Sequence, residues 1–183
     1  TESSDYQIIM VIGIDSDRNI YVIDYMREHI PLYDMTEQIL EYAREFSPVK
    51  RVNVEHVGAQ GIIKDAVNSL SGKERKVAPG IALGVRPPSG IKKEDRLESL
   101  LAPIVNRRKM FIKRSHNSLV DEMFQFPKGK NDDILDGLWY AINKARPPVS
   151  KKFDALDFLE NKTVKSVSKT TKRVISWVTG QKI

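Results

Sequence analysis

The chain opens with two short runs of β-branched and aromatic residues, 6–14 (YQIIMVIGI) and 20–25 (IYVIDY), separated by the polar stretch Asp15-Ser16-Asp17-Arg18-Asn19. Runs of this kind bounded by turn formers predict two strands joined as a β-hairpin, with Asp15 in its turn. The apolar positions then shift to helical spacing. Met35, Ile39, Tyr42, Ala43 and Phe46 share one face of a helix over 34–46, which Pro48 closes. A third strand is expected over 49–54 (VKRVNV), ending at Glu55. Past Gly58 and Gly61, the residues Ile62, Ile63, Ala66, Val67 and Leu70 mark a helix that stops at Gly72. Residues 73–90, with Pro79, Gly80, Gly84, Pro87, Pro88 and Gly90, read as irregular. An amphipathic helix over 92–106 comes next, on Leu97, Leu100, Leu101, Ile104 and Val105, and then a short strand, Met110-Phe111-Ile112. A brief helix with Leu119, Met123 and Phe126 ends at Pro127. The last body helix, 131–145, places Ile134, Leu135, Leu138, Ala141, Ile142 and Ala145 on one face before Arg146-Pro147-Pro148.

Strands first and then alternating helices and strands predict an α/β fold, a small mixed β-sheet flanked by helices. Residues 1–148 form the expected domain. Residues 149–183 are expected to be a basic C-terminal tail, with Phe153, Leu156, Phe158, Leu159 and Trp177 as its packing residues. No internal repeat is present.

A length of 183 residues, 40% of them apolar, suits one domain with a buried core. No apolar run approaches the roughly 18 residues of a membrane span, and no charged-then-apolar leader is seen. The absence of cysteine excludes disulfides, thiolate zinc sites and thiol nucleophiles. The net charge of +6 raises an anionic partner. Its distribution qualifies that reading: 149–183 holds eight basic residues against three acids, so five of the six net charges belong to the tail.

The densest acidic feature is Asn131-Asp132-Asp133-Ile134-Leu135-Asp136. On a helix Asp132 and Asp136 project within about 40° of each other, with Asp133 to one side. Carboxylates this crowded raise one another's pKa unless a cation lies among them, and hard oxygen ligands suit Mg²⁺ or Mn²⁺. The competing reading is local: Asn131 as N-cap, with first-turn acids meeting the helix dipole. Glu55, at the C-terminal end of an apolar strand, stands where α/β sheets place their ligands, although alone it reads as a solvated strand-end acid. Together, a strand-end Glu and a helix-start Asp pair make the acidic set of a two-metal phosphodiesterase, whose ions stand about 3.5–4 Å apart. His29, His56 and His116 lack zinc-like spacing, and no G-x-x-x-x-G-K-[ST] phosphate loop occurs. Lys92, Lys93 and Arg96 open the 92–106 helix; Arg107, Arg108, Lys109, Lys113 and Arg114 follow it. Each set is either solvated surface charge or a contact to a nucleic-acid backbone.

Read in order, Ser4-Asp5-Tyr6, the strand Asn19-Ile20-Tyr21-Val22-Ile23-Asp24, Val52-Asn53-Val54-Glu55, Lys93 with Arg96, Phe126-Pro127 and Asn131-Asp132-Asp133-Ile134-Leu135-Asp136-Gly137-Leu138 resemble one family. It is the C-terminal nuclease domain of the large terminase subunit of tailed bacteriophages, and the likeness covers about residues 3–146. The resemblance implies an RNase H-like fold and metal-dependent endonucleolytic cleavage of double-stranded concatemeric DNA during genome packaging. It matches Glu55 to the second catalytic acid and Asp132-Asp133 to the third acidic cluster, with Asp136 as a further contributor to a site for two Mg²⁺ or Mn²⁺ ions. Lys93 and Arg96 match a basic pair near the DNA path, and Lys92, Arg107 and Arg108 are candidate DNA contacts beside them. The implied partners are duplex DNA, a portal protein, the small terminase subunit and an upstream ATPase domain. The implied place is the procapsid portal in the host cytoplasm, away from any membrane. The family carries its first catalytic Asp on a central strand just before the Ser-Asp-Tyr segment, and that strand is expected to be missing here. Two alternatives follow from the same residues: a non-catalytic docking module of the packaging motor, resting on the missing acid and the basic tail, or another RNase H-like nuclease such as a junction resolvase.

Overall fold

The structure, a computed structural model, describes residues 6–31, 33–56, 61–71, 77–148 and the backbone of 172–179. The chain has an α/β fold. Strands Gln7–Ile14 (β1) and Ile20–Glu28 (β2) pair antiparallel as the expected hairpin. Asp15 builds the turn between them. Its Oδ1 accepts the Asp17 and Asn19 amides at 2.9 and 2.8 Å, and its Oδ2 accepts the Asn19 side-chain amide and the Tyr21 hydroxyl at 2.8 and 3.0 Å. A side chain this short, saturated by local donors, is a turn-former.

Helix Met35–Glu45 (α1), strand Val49–Glu55 (β3) and helix Gly61–Ser71 (α2) follow as the hydrophobic spacing predicts. Next comes an unexpected strand, Ala82–Val85 (β4), within the stretch read as irregular. Its Gly- and Pro-rich flanks hide it in the sequence. It is secured by Asn68 of α2, whose side chain donates to the Ala82 carbonyl at 3.0 Å and accepts the Ala82 amide at 2.8 Å. Helix Lys93–Asn106 (α3), strand Met110–Ile112 (β5), helix Asn117–Gln125 (α4) and helix Asp133–Ile142 (α5) complete the body. The last helix ends three residues before its predicted limit because the buried Asn53 side chain on β3 takes its C-terminal carbonyls, donating to Tyr140 at 2.7 Å and Asn143 at 2.9 Å.

Residues 172–179, within the stretch the sequence assigned to the tail, form a sixth strand, Lys172–Thr179 (β6). The sheet order is β4-β3-β6-β1-β2-β5. β6 runs antiparallel to β1, Gln7 opposite Thr179 through Ile14 opposite Lys172, and parallel to β3. β4 is parallel to β3, and β5 is parallel to β2. The remaining tail residues singled out above, Phe153, Leu156, Phe158 and Leu159, lie outside the described residues, as do Ser4, Asp5, Gly58 and Gly72.

Alternation along β1 explains the layers. Every residue of that strand is buried. Ile9 and Val11 pack with α1 and α2 through Met35, Ile39, Leu40, Ile63 and Val67. Ile8, Met10, Ile12 and Ile14 pack on the other face with Leu97 and Leu101 of α3, Leu119 of α4 and Ile134, Leu135 and Leu138 of α5. A strand covered by helices on both faces reads as one continuous apolar run, which is what IIMVIGI is. Among the described residues no helix is long and apolar enough to cross a membrane.

Candidate functional site

Helix α5 carries the acids into the core face. Asp132 is its N-cap, displacing the expected Asn131, and its side chain makes no capping hydrogen bond. The first-turn donors go instead to Glu122 of α4, whose Oε2 accepts the Ile134 and Leu135 amides at 2.9 and 3.1 Å. An acid from a neighbouring helix thereby satisfies the orphan N–H groups and meets the positive end of the dipole.

With capping provided by Glu122, Asp132 and Asp136 turn to α3. Lys93 Nζ lies 2.8 Å from Asp132 Oδ1 and 3.4 Å from Asp136 Oδ2. Arg96 Nη2 lies 2.7 Å from Asp136 Oδ1. The Arg96 guanidinium stacks over the Trp139 ring, 4.6 Å from its centroid, and the residue is only 7% exposed. Burial opposes the charge on Lys93, but Asp136, Asp132 and Asp133 outweigh it and raise the pKa of the ammonium above its usual value. The Asp136 pKa is raised as well, which for a carboxylate disfavours the charge: burial outweighs the pull of Lys93 and Arg96.

Glu55, half-buried at the end of β3, accepts a hydrogen bond from the Tyr140 hydroxyl at 3.1 Å. Burial, and then the charges of Glu55 and Asp136, push the Tyr140 phenol well above its ordinary range. Tyr140 therefore ties the strand-borne Glu55 to the helix that carries Asp136 one turn earlier, while its backbone carbonyl is held by Asn53. Sequence reading did not single out Tyr140. Its position one turn beyond Asp136 was the available signal.

Asp133 stands apart from this group. Its Oδ2 accepts from Arg27 Nη2 of β2 at 3.1 Å, and Arg27 also lies 3.9 Å from Glu122 Oε1 and 4.2 Å over the Tyr6 ring. Burial raises the Glu122 pKa to about 7.

The basic residues divide as well. Lys92 is exposed at the N-cap of α3, whereas Lys93 and Arg96 face the acids. Arg107 and Arg108 are exposed at the far end of that 14-residue helix, about 20 Å away at 1.5 Å per residue. There Arg107 joins Arg18 and Lys109 at the rim of a cavity of about 350 Å³, which Ile14, Ile20 and Ile142 also line. His56, next to Glu55, packs its ring against Gly61 and Gly84, where an added Cβ would come within 2.8 and 3.0 Å of it.

The residues as placed do not fit a two-ion centre. Among the described residues no group of three or more His, Asp or Glu side chains could hold a metal ion. The cation between Asp132 and Asp136 is the Lys93 ammonium. Comparison with protein-family models, with curated proteins and with solved structures finds no match to this chain.

Proposed function

We propose that the chain is the nuclease-type domain of a terminase large subunit, an RNase H-like body for cutting concatemeric duplex DNA during packaging of a tailed-phage genome. The observation that carries this reading is the hydrogen bond from Tyr140 of α5 to Glu55 at the end of a parallel strand, which ties that acid to the helix bearing Asp136, while Asp132 shares Lys93 with Asp136. The mixed sheet with helices on both faces is the scaffold that the reading calls for. Duplex DNA, the portal protein, the small terminase subunit and an upstream ATPase domain belong to the same proposal as partners, and the procapsid portal in the host cytoplasm as the place of action.

Mg²⁺ or Mn²⁺ also belongs to it. The reading calls for a first catalytic Asp on a central strand, and β6, which lies between β3 and β1, contains no acid in KRVISWVT. In this reading the completing carboxylate comes from outside the described residues. The test is nicking of supercoiled plasmid in Mn²⁺ by a chain extended upstream with an Asp-bearing strand that takes the place of β6 between β1 and β3. Cutting is expected, and Glu55→Gln and Asp136→Asn are each expected to abolish it; undiminished cutting by both variants would overturn the assignment.

One observation favours a second reading, the docking module. Lys93 and Arg96 already neutralise Asp132 and Asp136, and the central strand brings no further acid. That reading expects neither nicking nor stabilisation by Mn²⁺ in the extended chain, with binding to portal or DNA retained.

A further inference from the structure

We propose that Lys93, backed by Arg96, is the resident cation of the Asp132–Asp136 pair and keeps a divalent ion out of it. Removing the ammonium turns the pair into a divalent-cation site. The inference concerns the acids of the nuclease reading and rests on that reading for the class of ion, Mg²⁺ or Mn²⁺.

The geometry is that of an occupied cation position. Asp132 and Asp136 are one turn apart on α5, tied by the Asp136 amide donating to the Asp132 carbonyl at 2.9 Å. Their carboxylates therefore share a face. Lys93 Nζ lies between them at 2.8 and 3.4 Å, on a side chain only 13% exposed. Hard oxygen donors held this way around a compact positive charge are also what a divalent ion uses.

Charge decides which cation stays. Two carboxylates, one ammonium and one guanidinium sum to zero, so a divalent ion entering the intact cluster would leave two uncompensated positive charges in a buried place. That is strongly unfavourable. Without the ammonium the four groups become three and carry one net negative charge, with Glu55 adding a second through Tyr140. Arg96 cannot take over the vacated position. Its guanidinium is fixed over Trp139, and it reaches Asp136 from the other side, on Oδ1 rather than Oδ2. The fit around Arg96 is incomplete: among the described residues Arg96 Nη1 is buried with no hydrogen-bond partner. The cluster is thus neutral in charge but leaves one guanidinium nitrogen unpaired among the described residues. A closed structural ion pair would be both neutral and satisfied. Within the nuclease reading, entry of an ion then follows withdrawal of Lys93 from the acids.

The test is calorimetric titration of Mn²⁺ into the full chain, without DNA, for the wild type, Lys93→Met, Lys93→Arg and Lys93→Met/Asp136→Asn. Lys93→Met is expected to bind Mn²⁺ at least tenfold more tightly than the wild type. Lys93→Arg should stay with the wild type, and the double variant should lose the gain. Equal affinity of wild type and Lys93→Met would overturn the proposal, as would a folded Lys93→Met with no gain. If Lys93→Met does not fold in metal-free buffer, near-UV circular dichroism after refolding with and without Mn²⁺ replaces the titration. Recovery only with Mn²⁺ supports the proposal, and failure in both overturns it. Nicking is not part of the readout, so a chain that never cuts DNA can still bear this inference out, and one that cuts can still refute it.

Discussion

Glu122 supplies a quantitative test of how the α5 terminus is held. Its carboxylate caps Ile134 and Leu135 and faces Arg27, both of which favour the charged form, yet burial dominates and places its pKa at about 7 against an ordinary 4.5. A folded pKa above the unfolded one means that the folded chain holds the proton more tightly. Stability from this group is therefore fully present below pH 4.5 and is lost as pH rises through 7. The interval corresponds to about 3 kcal/mol at 1.36 kcal/mol per pH unit. Glu122→Gln keeps a carbonyl oxygen for the two amides and removes the ionisation. Taking the difference between the two chains cancels what groups remote from Glu122 contribute. Urea unfolding followed by far-UV circular dichroism, at intervals from pH 4 to 8.5, should show the variant gaining about 3 kcal/mol on the wild type across that range. A difference that stays flat, or a wild type that gains on the variant as pH rises, would mean that Arg27 and the helix terminus outweigh burial, and would refute the reasoning.

Three further outcomes follow from the packing. Asn53→Ala removes both hydrogen bonds that close the α5 C-terminus and should cost about 1–3 kcal/mol in chemical denaturation. Gly84→Ala drives a methyl to 3.0 Å from the His56 ring; it should destabilise by about 1–3 kcal/mol, and a double-mutant cycle with His56→Ala should recover only the ring's share of that loss, because the His56 Cβ stays 3.1 Å from the methyl. Arg27→Met leaves Asp133 and Glu122 buried without their cation, so a loss of about 3–5 kcal/mol is expected in the same unfolding assay.

The elements that alternation and helical spacing revealed are those whose burial is one-sided or complete and uninterrupted. The hairpin was legible because Asp15 to Asn19 interrupts two apolar runs, and α1 and α3 because their apolar residues recur on one face. β4 was not, since four residues beside Gly80 and Pro87 carry no periodicity, and the Asn68 clamp that secures them is 14 residues upstream of Ala82. β6 was hidden by charge: Lys172 and Arg173 made Val174-Ile175-Ser176-Trp177-Val178 look like part of a basic tail, although its β-branched residues were the available signal. For the site, i,i+4 spacing identified Asp132 and Asp136 as sharing a face. What spacing could not supply was the partners. Lys93 is 39 residues from Asp132, and Arg27 is 106 from Asp133. A Lys at the start of an amphipathic helix has the same local pattern whether it faces water or a carboxylate from another helix. Only the docking of α3 on α5 separates the two.

That placement of β6 changes what the basic tail can be asked to do. Lys172 to Thr179 pairs with β1 along its whole length and with β3 on its other side. A chain ending at Pro148 would lose the tail's positive charge and would also open the sheet between β1 and β3, exposing two rows of unpaired backbone groups in its centre. Deletion therefore cannot report the charge alone. Neutralising Lys151, Lys152, Lys162, Lys165 and Lys169 to Gln leaves Lys172 and the strand intact while removing five charges. If those charges neutralise phosphates, duplex affinity should fall, and the slope of log K against log salt should flatten by about 0.9 for each phosphate left unneutralised, with the melting temperature unchanged. The chain ending at Pro148 should instead melt without a cooperative transition. If it melted as cooperatively as the full chain, β6 would not be integral to the sheet. If the charge-neutralised chain kept its affinity and salt slope, the tail's charge would be directed to a protein partner rather than to DNA.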